Sequence, residues 1–224
     1  MLPEAKYYRP PEKLSWLVKQ FEFITYTGKE ALTDKFVPRE DVSIVFHFRN
    51  RPRMIYPIDR ELPPVFIAPL TPTANSICMP GGIDTMIITC RPTVLSRLLG
   101  ISLAPGNDIW VPAPEKLLLP AWEKMRYGSS DAERMEIFAS FIITTWHRRY
   151  IPDETDRSYD LILKKGINTT LHDITEELQV SERTLQRRFR ERLGATPKML
   201  IRLLRINYLW ETTSGGGKID YQDL

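Results

Sequence analysis

Two hydrophobic periods divide the chain. Up to about residue 90 the apolar positions alternate or fall in short blocks. Gln20 to Tyr26 alternates aromatic and polar residues, as a strand with one buried face does. Val42 to Phe48 is apolar and β-branched, which predicts a mostly buried strand. Met54 to Tyr56, Val65 to Ala68 and Ala74 to Met79 follow at short intervals, separated by proline. Pro80-Gly81-Gly82 predicts a turn and Asp84 to Cys90 its returning strand. Cys78 and Cys90 then lie on two arms of one hairpin, with Cys78 opposite Asp84, so no disulfide is expected. The even spacing and dense turns point to a small antiparallel barrel or sandwich rather than a parallel sheet.

From Arg91 the period becomes helical. Pro92 can open a helix with Val94, Leu95, Leu98 and Leu99 on its apolar face and Gly100 at its end. Leu117 to Met125 is a second helix. Ser130-Asp-Ala-Glu133 has capping-box spacing and opens a long helix through about His147, with Ile137, Phe138, Phe141, Ile142 and Trp146 apolar. Its two-sided apolarity suits packing against the strands or against a second subunit. Tyr150 to Ser158 is polar, holds Pro152 and breaks the period; helices resume from Ser158. Of 18 prolines, sixteen lie at or before Pro120, which keeps strands and turns in the first half and helices in the second. The expected fold class is α+β: an N-terminal antiparallel β barrel or sandwich with flanking helices over 1–150, and a C-terminal all-α helix-turn-helix domain over 151–224.

The stretch Ile174 to Leu204 carries the chemistry. Thr170 and Asp173 fit a capping box before a short helix ending near Gln179. Ser181 is a good N-cap for the next helix, and Gly194 its expected left-handed stop. Leu185, Phe189 and Leu193 recur four apart as a core stripe. Arg183, Gln186, Arg187 and Arg190 sit at i, i+3, i+4 and i+7 on another face. Arg can bond guanine O6 and N7 together, and Gln adenine N6 and N7. Arg183, Gln186 and Arg187 are therefore the candidate base readers. Arg190, Lys198 and Arg202 are candidates for phosphates, with Ser181, Thr184 and the nearby first-turn amides assisting. From Ser181 to Arg205 there are eight Lys/Arg against two Glu, a charge of +6, while the whole chain carries only +3. Such concentration is the footprint of phosphate binding. A merely solvated helix face is the alternative, but cap, turn, apolar stripe and basic stripe agree in register. After Gly194, Thr196-Pro197 opens a further helix to about Glu211, with Leu200, Leu203, Leu204 and Tyr208 as its inner side.

The run Ile174-Thr175, Val180-Ser181, Leu185, Arg187, Phe189, Gly194, Pro197 and Arg205 resembles the first helix-turn-helix of the AraC/XylS family of bacterial transcription regulators, over about residues 165 to 212. Thr175 stands where that family usually has Ala, Gln179 where it has Gly, and Leu200 where it has Tyr. The resemblance implies that Arg183, Gln186 and Arg187 read bases and that the helix after Pro197 links two such units. Ile88-Thr-Cys-Arg-Pro92 followed by Leu95, Leu98, Leu99 and Gly100 resembles the N-terminal domain of a subset of the same regulators, which implies a sensor or dimerisation role. Lys218 to Leu224 looks like the opening of the second unit, so the expectation is a fragment or truncated product whose second reading helix is missing.

Composition narrows the remaining classes. Hydrophobic residues make up 42% and charged residues 26%, which is ordinary for a soluble globular chain. No apolar run approaches the ~18 residues a membrane span needs. The N-terminus lacks the basic start and apolar core of a signal peptide. Two cysteines without metal-like spacing fit a cytoplasmic protein with reduced thiols. His47 is expected in the core or its rim, His147 at a helix end and His172 beside the DNA-binding unit. No His/Asp/Glu/Cys cluster suggests a metal, and neither cofactor nor catalysis is expected. The aromatics Phe21, Phe23, Tyr26, Phe46 and Phe48 read as core. The expected partners are double-stranded DNA, a small-molecule effector and a second copy of the chain, with no membrane. Two other classes compete: a metal-barrel or repair enzyme fused to a DNA-binding unit, and a protein-interaction module.

Overall fold

The structure, a computed structural model, describes residues 2–105, 109–146 and 150–213. The strands are β1 (Glu4–Tyr8), β2 (Val18–Tyr26), β3 (Leu32–Phe36), β4 (Val42–His47), β5 (Arg53–Tyr56), β6 (Arg60–Glu61), β7 (Val65–Ala68), β8 (Asn75–Met79), β9 (Ile83–Cys90) and β10 (Val111–Pro112). The helices are α1 (Pro92–Leu99), α2 (Glu115–Arg126), α3 (Asp131–Thr145), α4 (Glu154–Lys165), α5 (Leu171–Leu178), α6 (Glu182–Leu193) and α7 (Pro197–Thr213). His147 and the Lys218–Leu224 stretch, both singled out in the sequence, lie outside the described residues.

The strands form two open antiparallel sheets rather than a closed barrel. The larger runs β1-β2-β9-β4-β7-β10, the smaller β3-β8-β5-β6. The expected hairpin across Pro80–Gly82 is not one. β8 pairs with β3 and β5, while β9 pairs with β2 and β4, so the turn carries the chain from one sheet to the other. Burial explains the choice. β9 alternates too weakly to be an edge, with apolar side chains buried on both faces, and must lie between two neighbours. Cys78 accordingly stands opposite Thr33 and Arg53, not Asp84, and both cysteines are free thiols.

The large sheet is covered on both sides. One face (Phe21, Phe23, Ile44, Phe46, Met86, Ile88) packs on the helices, where Phe138 of α3 meets Phe21 and Phe46 edge-on at 6.1 and 6.2 Å. The other (Val45, Phe66, with Ile87) closes on Met54 and Ile77 of the small sheet, with Leu62 and Trp110. α3 is pinned by Arg134, which grips Asp84 with two bonds of 2.8 and 2.9 Å and lies 4.0 Å from the Phe48 ring centre. Ser130 caps α3 as expected, but Glu133 turns to the N–H and hydroxyl of Ser129 instead of reciprocating to Ser130. His47 is buried and its Nδ1 lies 2.8 Å from Thr85 Oγ1; burial, then the nearby Arg51, lower its pKa to about 3 and hold it neutral.

α4 begins earlier than the polar stretch suggested. Asp153 and Asp156 make a full capping box, so the helix starts at Glu154, four residues before the expected Ser158. Tyr159 and Ile162 of α4, Leu171 and Ile174 of α5, Leu185 and Phe189 of α6, and Leu200 and Leu203 of α7 then join the same buried cluster as the large sheet. Tyr208 does not: it is half exposed, on the outward side of α7.

Candidate nucleic-acid interface

Two capped helices and a three-residue turn set the site. Thr170 and Asp173 close the capping box of α5 in both directions. α5 ends at Gln179, the one described non-glycine residue with positive φ (51°). The Val180 N–H then returns to the Thr175 carbonyl at 3.1 Å, which reverses the chain. A left-handed residue is needed here, which is why glycine suits the position, and Gln179 holds it at a cost of about 1 kcal/mol. Thr175 is buried and satisfies its hydroxyl on the His172 carbonyl at 2.9 Å.

Ser181 caps α6. Its hydroxyl accepts the Thr184 N–H at 3.2 Å and donates to the Thr184 hydroxyl at 2.9 Å. The Leu185 N–H goes to the Ser181 carbonyl. The N–H groups of Glu182 and Arg183 have no partner among the described residues and are the donors that α6 can present to an anion. Both hydroxyls are thus turned toward one another within the cap.

Leu185, Phe189 and Leu193 are all at or below 1% exposure, so the rotation of α6 is fixed. That leaves Arg183, Arg187 and Arg190 exposed on its outer side, with Gln186 half-buried between them. Arg183 and Arg190 make no ion pair or side-chain hydrogen bond among the described residues. Arg187 pairs with Glu191 at 2.9 and 3.0 Å, both side chains being more than half exposed. Such a solvated i,i+4 pair contributes only ~0.3–0.5 kcal/mol, whereas a bidentate guanine contact discriminates by roughly 1–3 kcal/mol. Glu191 therefore does not hinder Arg187 from turning to a base. Lys198 and Arg202 are exposed one turn apart on α7, off the face of α6 itself.

The other basic residues of the segment have different work. Arg192 reaches back to Asp153 at 2.6 and 3.2 Å and lies 3.7 Å from Asp156. Arg188 pairs with Glu154, and Arg205 donates to the carbonyls of Ile167 and Thr169. Arg97 of α1 meets the same Asp156, 1% exposed, at 3.1 Å, and Tyr150 donates to it at 2.6 Å. Burial raises the Asp153 carboxyl, but the Asp156 N–H, Arg192 and Arg97 outweigh it and hold the group below its usual value. This network was not read from the sequence. Together with the Leu103 N–H bond to the Arg192 carbonyl (2.7 Å), it seats the rear of α6 against the N-terminal half. Gly194, at φ 65°, lets the chain pass there: a Cβ on it would lie 2.4 Å from Ala104 Cα.

The exposed His172 lies 3.9 Å from Glu176 on α5 and takes no part in this face. Among the described residues no group of three His, Cys, Asp or Glu could hold a metal ion, and no helix is long and apolar enough to cross a membrane.

No protein-family model matches the chain, and no curated protein matches it. Several solved structures are similar in form. ToxT from Vibrio cholerae is 14% identical, over 99% of this chain and 87% of that one, with a TM-score of 0.42. Wild-type ToxT with a bound unsaturated fatty acid is 16% identical, over 89% and 83%, at 0.45. The AraC-like transcriptional activator CuxR is 12% identical, over 96% and 88%, at 0.39. At such identities the likeness is one of form, and the chemistry has to come from this chain's own residues.

Proposed function

We propose that this chain is a sequence-specific DNA-binding transcription regulator of the AraC/XylS type. In this reading residues 151–224 carry the DNA-binding unit, and residues 1–150 sense a small molecule or pair with a second copy. α6 is 12 residues long, about 18 Å, and enters the major groove with Arg183, Gln186 and Arg187 toward the bases. Arg190, Lys198 and Arg202 hold phosphates, and the free first-turn N–H groups of Glu182 and Arg183, beside the Ser181 and Thr184 hydroxyls, add a backbone contact.

One observation supports this above the rest: the apolar stripe of α6 is fully buried, so the guanidinium side is forced outward and left largely unpaired. A helix whose arginines served stability alone would show them all paired inward, as Arg188 and Arg192 are. Equilibrium binding of the full chain to a mixed-sequence duplex, at two salt concentrations, tests the reading. Affinity should fall steeply with salt, and Lys198→Gln with Arg202→Gln should lower the log–log slope by about one to two. Binding that is absent at low salt, or indifferent to salt, overturns it.

A further inference from the structure

One acidic side chain stands on the basic face of α6. Arg187 sends both of its bonds to Glu191 from a single amino group, Nη1, at 2.9 Å to Oε1 and 3.0 Å to Oε2. The edge formed by Nε and Nη2 makes no bond among the described residues. That edge carries two parallel donors, the pair that guanine O6 and N7 accept. Arg187 can therefore read a base without leaving Glu191. Arg183 and Arg190 have no such anchor.

Stability does not account for this carboxylate. It lies in the last turn of α6, which ends at Leu193, where the helix dipole disfavours negative charge. Within the pair the cation precedes the anion, the weaker order for an i,i+4 pair. Nor does the rear of α6 require it. Glu191 borders a cleft with Asp153, Glu154, Arg157, Arg188 and Arg192, yet Arg188 pairs with Glu154 and Arg192 with Asp153. Each rear arginine of α6 has its own acid, and Glu191 is left to Arg187. A negative charge on a face turned to a polyanion also weakens binding to every sequence. A local rule broken in this way, with no gain in the fold, marks function.

We propose that Glu191 is a positioning residue for base discrimination: it holds Arg187 by one amino group with the Nε–Nη2 edge toward the bases, and its charge keeps that guanidinium from settling on a phosphate instead. This role rests on the DNA-binding reading above. An unanchored arginine keeps rotamers that reach backbone as well as base. Anchoring removes them before binding, and the adjacent carboxylate penalises those that bring a phosphate close. Discrimination is a difference of two affinities, so Glu191 raises it while lowering the affinity common to all sequences.

The test compares wild type, Glu191→Gln, Glu191→Ala, Arg187→Ala and R187A/E191A as full chains. Sites are selected from random duplexes, and affinities for the wild-type best site and for a mixed-sequence duplex are measured at one salt concentration. Both Glu191 variants should bind the mixed duplex about twofold or more tighter. Their ratio of best-site to mixed affinity should fall by roughly fivefold or more, with preference relaxed at the same base pair that Arg187→Ala relaxes. The double variant should lose no more discrimination than Arg187→Ala alone, since the two residues act as one unit. Neither Glu191 variant should melt below wild type. An unchanged ratio, relaxation at a different base pair, or full additivity in the double variant overturns this role. So does a lower Tm with best-site and mixed affinity reduced alike, the mark of a merely structural pair. Failure of wild type to select a motif, or to bind any duplex, overturns the regulator reading and this role with it. That failure shows in wild type, whereas the others show only in the variants.

Discussion

Two glycines with the same backbone angle separate the effect of conformation from the effect of contact. Gly100 and Gly194 both have φ 65°, but a Cβ at Gly100 meets nothing within 4 Å, while one at Gly194 falls 2.4 Å from Ala104 Cα and 2.7 Å from its Cβ. Gly100→Ala should then carry only the left-handed penalty, about 1–2 kcal/mol. Gly194→Ala should add to it an overpacking term of roughly 1–3 kcal/mol, because backbone must move rather than a flexible side-chain tip. For a chain of this size each kcal/mol shifts Tm by ~2–4 °C. Gly194→Ala should accordingly melt several degrees below Gly100→Ala in differential scanning calorimetry at pH 7. Equal Tm values for the two variants would mean that the end of α6 does not press on the segment before residue 105, and that α6 is not seated there against the N-terminal half.

Other consequences follow from single residues. Gln179→Gly should raise stability by about 0.5–1 kcal/mol by relieving the left-handed strain, while Gln179→Ala should not; denaturant midpoints that fail to separate the two would contradict the turn geometry. His47 is neutral in the folded state, with a pKa near 3 against an ordinary value of about 6.5. Its contribution is thus complete above about pH 6.5 and is lost, by up to ~1.4 kcal/mol per pH unit, as pH falls toward the folded value. His47→Leu should flatten the wild-type stability profile between about pH 6.5 and 4 by close to one proton, and an unaltered slope would place the proton uptake elsewhere. Asp153, held low by its partners, contributes above the ordinary carboxylate range, and that share is lost only under more acid conditions; Arg192→Met should narrow that loss, which acid titration followed by circular dichroism measures.

The sequence disclosed what is settled within a few residues. The caps at Thr170 and Ser181, the stops at Gln179 and Gly194, and the stripe Leu185–Phe189–Leu193 are local signals, and the structure places all of them as expected. What depends on distant partners was not legible. The Pro80–Gly82 turn looked like a hairpin because its two flanks are both strands; only their pairing with β2, β4, β3 and β5 shows that they lie in different sheets. β1 and β3 escaped notice because EAKYY and LTDKF are edge strands, too polar to show alternation. The basic run was counted as one footprint, yet Arg188 and Arg192 answer acids 34 and 39 residues upstream. The signal for that is present in Asp153-x-x-Asp156, a capping-box spacing inside the polar stretch where the helical period breaks. Tyr208 looked apolar by period, and the helix simply outruns its core there.

The most direct test of the account is selection of binding sites from random duplexes with wild type and with Arg187→Ala, both at fixed salt. The account predicts a defined motif for wild type. Arg187→Ala should relax preference at one base pair and weaken the best site by roughly 1–3 kcal/mol, while leaving mixed-sequence affinity nearly unchanged. Selection of the same motif with the same affinity by both proteins, or no enriched motif from wild type, would contradict it.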